Sequence, residues 1–237
     1  MSMTITEVMN ELQKMGDEQT KKTLMKHGAR EPFFGVRVGD MKKLQKKIRK
    51  DHSLAIELFR TGNSDAMYFA AMICEPEKMT KEDLQYWAEK AYWYWLSEYT
   101  VAWTAAESGK GWEMAEKWIH SPEENIASSG WSTYSSLLAI TPDENIPADL
   151  IMSLLKKIEN EIHRERNRVR YCMNQFLIAV GTYYLPLKAK AIEVGKKIGK
   201  ISVDMGGTAC KVPDAVEYIE KVEKMGRSGK KRNTAFC

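Results

Sequence analysis

The chain has 237 residues, 43% hydrophobic and 29% charged, which suffices for a sizeable core in one large domain or a repeat array. No apolar run reaches the ~18 residues of a membrane span. The opening Met1-Ser-Met-Thr-Ile-Thr-Glu7 has neither part of a signal peptide, so the chain reads as cytoplasmic. With 36 basic and 32 acidic residues the net charge is only +4, too mild to identify a nucleic-acid binder by composition.

Helical periodicity predicts helices over 4–15, 17–27, 38–50, 52–61, 63–74, 80–91, 93–108, 111–120, 123–140, 147–163, 166–184, 186–199 and 213–225. No segment alternates convincingly as a strand. Thr80 before Lys-Glu-Asp reads as an N-cap, and Pro122 and Pro213 as first helical residues. Between the second and third helices, His27–Asp40 carries Gly28, Pro32, Gly35 and Gly39. It reads as an ordered loop whose Phe33, Phe34, Val36 and Val38 tuck onto neighbouring helices. A second irregular stretch, Ile201–Pro213, contains Asp204, Thr208, Cys210 and Lys211. Lys211 is only a weak hint that Cys210 is activated.

Short helices on short loops, in pairs of roughly 35 to 45 residues, fit an all-α, HEAT-like solenoid of stacked antiparallel pairs with a concave groove. An irregular helical bundle is the competing architecture. The expected organisation is a single domain over 1–226 and a basic tail over 227–237. Cys74, Cys172, Cys210 and Cys237 form no C-x-x-C pair and read as free thiols, not as a zinc or disulfide framework.

Basic residues fall in three groups. Lys42, Lys43, Lys46, Lys47, Arg49 and Lys50 share a helix whose apolar stripe is Met41, Leu44 and Ile48. Arg164, Arg166, Arg168 and Arg170 open another helix, and Arg227, Lys230, Lys231 and Arg232 lie in an acid-free tail with Gly226 and Gly229, which reads as mobile or loosely docked. Any one group fits a solvated face, but three together favour a polyanion.

All seven tryptophans lie between Trp87 and Trp131, with Glu98, Glu107, Glu113 and Glu116 among them. Such a window supplies either a large core or a stacking surface. The chain has no G-x-S-x-G, no H-E-x-x-H, no Walker loop and no dinucleotide fingerprint, and its four histidines are scattered. Carboxylate chemistry remains, with Glu98 and Glu107 the candidates. At helical spacing Trp95 and Tyr99 share a face, with Glu98 at its edge.

The loop Arg30-Glu-Pro-Phe-Phe-Gly-Val-Arg-Val-Gly-Asp-Met-Lys-Lys-Leu44, with Ala55-Ile-Glu-Leu-Phe-Arg-Thr-Gly62 and Ala66-Met-Tyr-Phe-Ala-Ala-Met-Ile73, resembles the start of the AlkD-type DNA alkylation repair proteins, of the HEAT-like repeat DNA glycosylase superfamily. The resemblance implies a solenoid holding duplex DNA in a basic groove. In active members it implies hydrolytic release of N3- or N7-alkylated purines, assisted by a carboxylate near the deoxyribose. The family's Trp-x-x-x-Asp element falls on Trp95-Leu-Ser-Glu-Tyr99, with Tyr99 in the aspartate's place and Glu98 one position earlier. The groove arginine falls on Ser128 or Ser129, and the second groove tryptophan on Gln175, beside Phe176.

The expectation is a divergent DNA-binding member with weak or lost glycosylase activity, the alternative being a non-catalytic scaffold for a protein partner. Glu98, Trp95 and Tyr99 form the expected catalytic centre. Lys42, Lys43, Lys46, Lys47, Trp131, Arg166, Arg168, Arg170, Lys230, Lys231 and Arg232 form the expected DNA contacts. The expected partner is duplex DNA, alkylated or structured, held by a monomer with no cofactor, metal or membrane.

Overall fold

A computed structural model describes residues 3–236. It contains α1 (Ile5–Lys14), α2 (Glu18–Lys26), α3 (Val38–Ile48), α4 (His52–Arg60), α5 (Ser64–Ile73), α6 (Lys81–Lys90), α7 (Ala102–Glu107), α8 (Gly111–Ile119), α9 (Glu124–Ile140), α10 (Ala148–Glu161), α11 (Asn167–Tyr183), α12 (Lys188–Ile198) and α13 (Ala215–Lys224). The sole β pairing among the described residues is an isolated bridge between Gly16 and Val36. No helix among them is long and apolar enough to cross a membrane.

The helix starts follow local chemistry. The Thr80 side chain accepts the Asp83 N–H, while the Asp83 carboxylate accepts the Thr80 N–H, closing a capping box on α6. Both proline-marked starts shift by two residues. α9 begins at Glu124 after Glu123, and α13 at Ala215 after Asp214, whose carboxylate caps the Glu217 N–H. Each proline therefore precedes the cap rather than opening the helix.

The helices form an all-α, paired-helix solenoid. One layer runs through α5, the central helix formed by 96–101 and α7, then α9, α11 and α13, each packed on the next, and α4, α6, α8, α10 and α12 lie behind. Two buried clusters follow one another along it. In the first, Trp87 stacks on Phe59 at 4.1 Å; in the second, Trp131 and Tyr134 meet Phe176 edge-on. Five of the seven tryptophans, Trp87, Trp93, Trp103, Trp118 and Trp131, are buried, so the tryptophan window is mainly core.

The loop before α3 is ordered by one side chain. Asp65, buried on α5, accepts the N–H groups of Phe34, Gly35 and Val36 at 2.5, 2.9 and 3.1 Å. Phe33 and Val36 are thereby drawn into the core. Gly35 has φ +79°, and a Cβ there would lie 2.7 Å from the Lys21 nitrogen, so both backbone and space require glycine.

Candidate nucleic-acid interface

Small residues create the principal cavity. Ser132, Ser135, Ser136 and Ala139 on α9 and Ala179 on α11 leave about 610 Å³ open on the layer formed by α7, α9, α11 and α13. Tyr99, Trp103, Tyr171 and Gln175 supply its rings and amide, and Arg227, Lys230 and Arg232 its cations. A second cavity of about 320 Å³ shares Trp103 and is lined by Lys42, Lys50, Tyr68, Glu107 and Phe236.

The central helix departs from α geometry where it matters. Leu96–Val101 winds as a π-helix before continuing as α7. Its wider turn changes the phase between Trp95 and Tyr99, which an α-helix would place on one face. Tyr99 and Trp103 line the cavity, whereas Trp95 packs edge-on against Tyr68 and Trp93. The expectation that Trp95 lines the centre is corrected. Trp103, four residues beyond Tyr99, was legible only from that spacing.

Glu98 is 5% exposed and does not present a free carboxylate. Its two oxygens accept Arg168 Nε–H and Nη2–H at 2.7 and 2.6 Å. The guanidinium lies between the rings of Tyr94 and Tyr171, at 4.4 and 4.3 Å, and the Arg168 N–H donates to Glu124. Burial pushes the Glu98 carboxyl above its usual range, opposed by the adjacent guanidinium. Desolvation works against charge on Arg168, but Glu98 more than offsets it and keeps the arginine protonated. An expected catalytic acid and an expected phosphate contact thus satisfy each other.

Other expected contacts divide by position. Lys42, Lys43, Lys46 and Lys47 are exposed on α3, and Lys42 borders the second cavity. Trp131 is 1% exposed and belongs to the core, which corrects its placement at the groove. Arg166 donates to the carbonyls of Ser121 and Pro122, just beyond the end of α8. Arg170 lines neither of these cavities, and its Nε is buried without a hydrogen-bond partner among the described residues. Ser128 and Ser129 are both buried.

Profile comparison places residues 8–219 within the family described as DNA alkylation repair enzyme. The chain belongs to the DNA alkylation repair family. It is 35% identical over 225 residues to the uncharacterized protein Lin0241 of Listeria innocua and 34% identical to the uncharacterized protein Lmo0209 of Listeria monocytogenes, covering 92% of this chain and 97% of each relative. A solved structure superposes with a TM-score of 0.92 at 40% identity, over 99% of this chain and all of the other. That structure is described as a new family of proteins related to the HEAT-like repeat DNA glycosylases with affinity for branched DNA structures. The HEAT-like fold is thereby established.

In this DNA alkylation repair protein the tail, expected to be mobile or loosely docked, is held by hydrogen bonds along its length. It runs along the C-terminal ends of α11, α9 and α7. The Gly229 N–H donates to Thr182 O and the Arg232 N–H to Ala139 O, both at 2.7 Å. Lys231 Nζ donates to Leu138 O and Tyr183 O at 2.9 Å and pairs with Asp143. Thr234 and Ala235 then bond Glu107, and Phe236 packs on Trp103. The Lys231 ammonium thus meets helix ends that carry orphan carbonyls and partial negative charge. Lys231 is a structural anchor, not the phosphate contact expected, and Arg232 donates to Phe236 O while bordering the cavity. Arg227 and Lys230 stay exposed.

Sequence reasoning missed this role because an acid-free basic run reads as a solvated tail. For Arg164, Arg166 and Arg168 a signal was present. Cations at a helix N-terminus oppose its dipole, so arginines there call for acceptors of their own. Arg164 finds Asn160 O, Arg166 the carbonyls after α8, and Arg168 Glu98. Cys74 and Cys172 are buried free thiols and Cys210 an exposed one; Cys237 lies outside the described residues.

Proposed function

We propose that this protein binds DNA along its cavity-bearing face and acts by recognising DNA structure rather than by excising bases. The observation that carries this reading is the Glu98–Arg168 pair. Glu98 is the one acid among the described residues lining the principal cavity, and both its oxygens are taken by an arginine. Tyr99, in the place of the family's aspartate, cannot supply the missing charge, because burial raises its phenol pKa further above neutrality. Glu107 is occupied by Thr234 and Ala235. Excision of an alkylated purine needs a carboxylate to stabilise the oxocarbenium-like centre, and neither acid among the described residues lining the two cavities is free for that work.

The exposed Lys42, Lys43, Lys46 and Lys47 would hold the phosphate backbone, with register fixed by charge and not by sequence. The affinity for branched DNA described for the 40% identical structure supports a preference for branched over linear duplex in this chain. The test compares binding to a three-way junction and a linear duplex of the same sequence across a salt series, with release of 7-methylguanine from methylated duplex measured in parallel. Tighter junction binding that falls steeply with salt, without base release, is expected. Robust release of 7-methylguanine, whether or not it depends on Glu98, would overturn the reading.

A further inference from the structure

We propose that the 610 Å³ cavity between α7, α9, α11 and α13 is a site for one unpaired nucleotide, drawn from the branch point of a DNA junction. This rests on the DNA-binding reading above and adds a specific receptor to it. The volume falls within the ~300–1,000 Å³ of small-ligand sites, and the cavity opens on the face assigned to DNA.

The walls match the parts of a nucleotide. Tyr99 and Trp103, with ring centroids 5.2 Å apart, form an aromatic wall, and Tyr171 adds a ring from α11. A base stacks on such rings whatever its identity. On the α9 side, Ser135 Oγ–H donates to Trp131 O and Ser136 Oγ–H to Ser132 O, so both hydroxyls can offer the cavity only acceptor lone pairs. Those lone pairs suit the amino and imino N–H groups along a base edge. On α11, the Thr182 hydroxyl lies buried at the wall without a partner among the described residues.

Arg227 and Lys230 stand at the same cavity, and neither side chain has a hydrogen-bond or ion-pair partner among the described residues. Lys231 is anchored to helix ends, whereas these two remain available to a phosphate. Rings, base-edge acceptors and free cations therefore converge on one concavity. A paired base would have to leave its stack to enter, and an unpaired one at a branch pays least.

The decisive experiment uses the full chain and a three-way junction carrying 2-aminopurine at a single unpaired branch position. The controls are the same label within linear duplex and free 2-aminopurine deoxyribonucleoside monophosphate. Wild type is expected to change the emission of the branch label and to bind this junction about tenfold more tightly than a fully paired one. Ser135→Phe, which fills the cavity, should abolish the emission change and the tenfold preference while duplex binding, carried by the α3 lysines, persists. Lys230→Glu, an exposed substitution that leaves the packing intact, should weaken the unpaired-nucleotide preference independently. An unchanged branch signal on a junction that wild type binds would overturn the pocket and leave the DNA-binding reading standing. Equal affinity for the free monophosphate would overturn the assignment to junction DNA. Retention of neither duplex nor junction at low salt would overturn both readings.

Discussion

Glu98 and Arg168, 70 residues apart in sequence, meet as a bidentate ion pair at 2.6 and 2.7 Å between α11 and the π-wound start of the central helix. The pair ties the central helix to α11, the two helices that flank α9 in the solenoid layer, and is walled by Tyr94 and Tyr171. Breaking a buried pair strands one charge, at a cost of about 3–5 kcal/mol. Arg168→Met is expected to lose about that much in urea unfolding, with Glu98→Gln somewhat less. Combining Glu98→Leu with Arg168→Met should recover most of the loss. A Glu98→Gln variant of unchanged stability would show that the pair does not hold the helices.

Charge reversal on α3 separates binding from folding. Lys43, Lys46 and Lys47 are exposed, so changing all three to Glu should alter stability by no more than about 1 kcal/mol. The same change should abolish retention on duplex DNA, because each lost phosphate contact lowers the salt dependence by about one counterion. Unchanged affinity at low salt would place the DNA elsewhere.

Truncation after Met225 should destabilise the protein, not merely weaken its binding. It removes the partners of carbonyls at the ends of α9 and α11 and uncovers Trp103 beside Phe236. At about 1 kcal/mol for each net hydrogen bond, the four bonds to these carbonyls give an expected loss of about 4 kcal/mol, read as a clear fall in Tm. A truncated chain that melts like the full one would return the tail to the loose role its composition suggests.

The buried Tyr134 hydroxyl donates to Glu116 at 2.6 Å and, with His120, holds that carboxyl below the ordinary value of 4.5. A lowered carboxylate pKa stabilises the fold above the unfolded value, and the contribution is lost as pH falls through the folded one. Tyr134→Phe should therefore cost about 1 kcal/mol at pH 7, with the gap from wild type closing below about pH 4. A gap independent of pH would assign the cost to packing alone.

The fold was legible because its signals are local. Apolar spacing, Thr80 and the Gly and Pro breaks set the helices close to their observed bounds, and a stack of short helix pairs on short loops leaves few architectures. The candidate site was legible in part. Tyr99 lies at the principal cavity, but Trp95 and Trp131 do not, because one π-turn changes the phase of a helix and burial of an indole depends on neighbouring helices. Glu98 and Arg168 were each visible as charges, yet only folding brought them together and removed both from solvent. The basic tail carries the same lesson. Its composition determined its charge, but the tertiary structure decided that Lys231 would meet carbonyls at the ends of two helices instead of phosphate, because those ends lie side by side only once the solenoid has stacked.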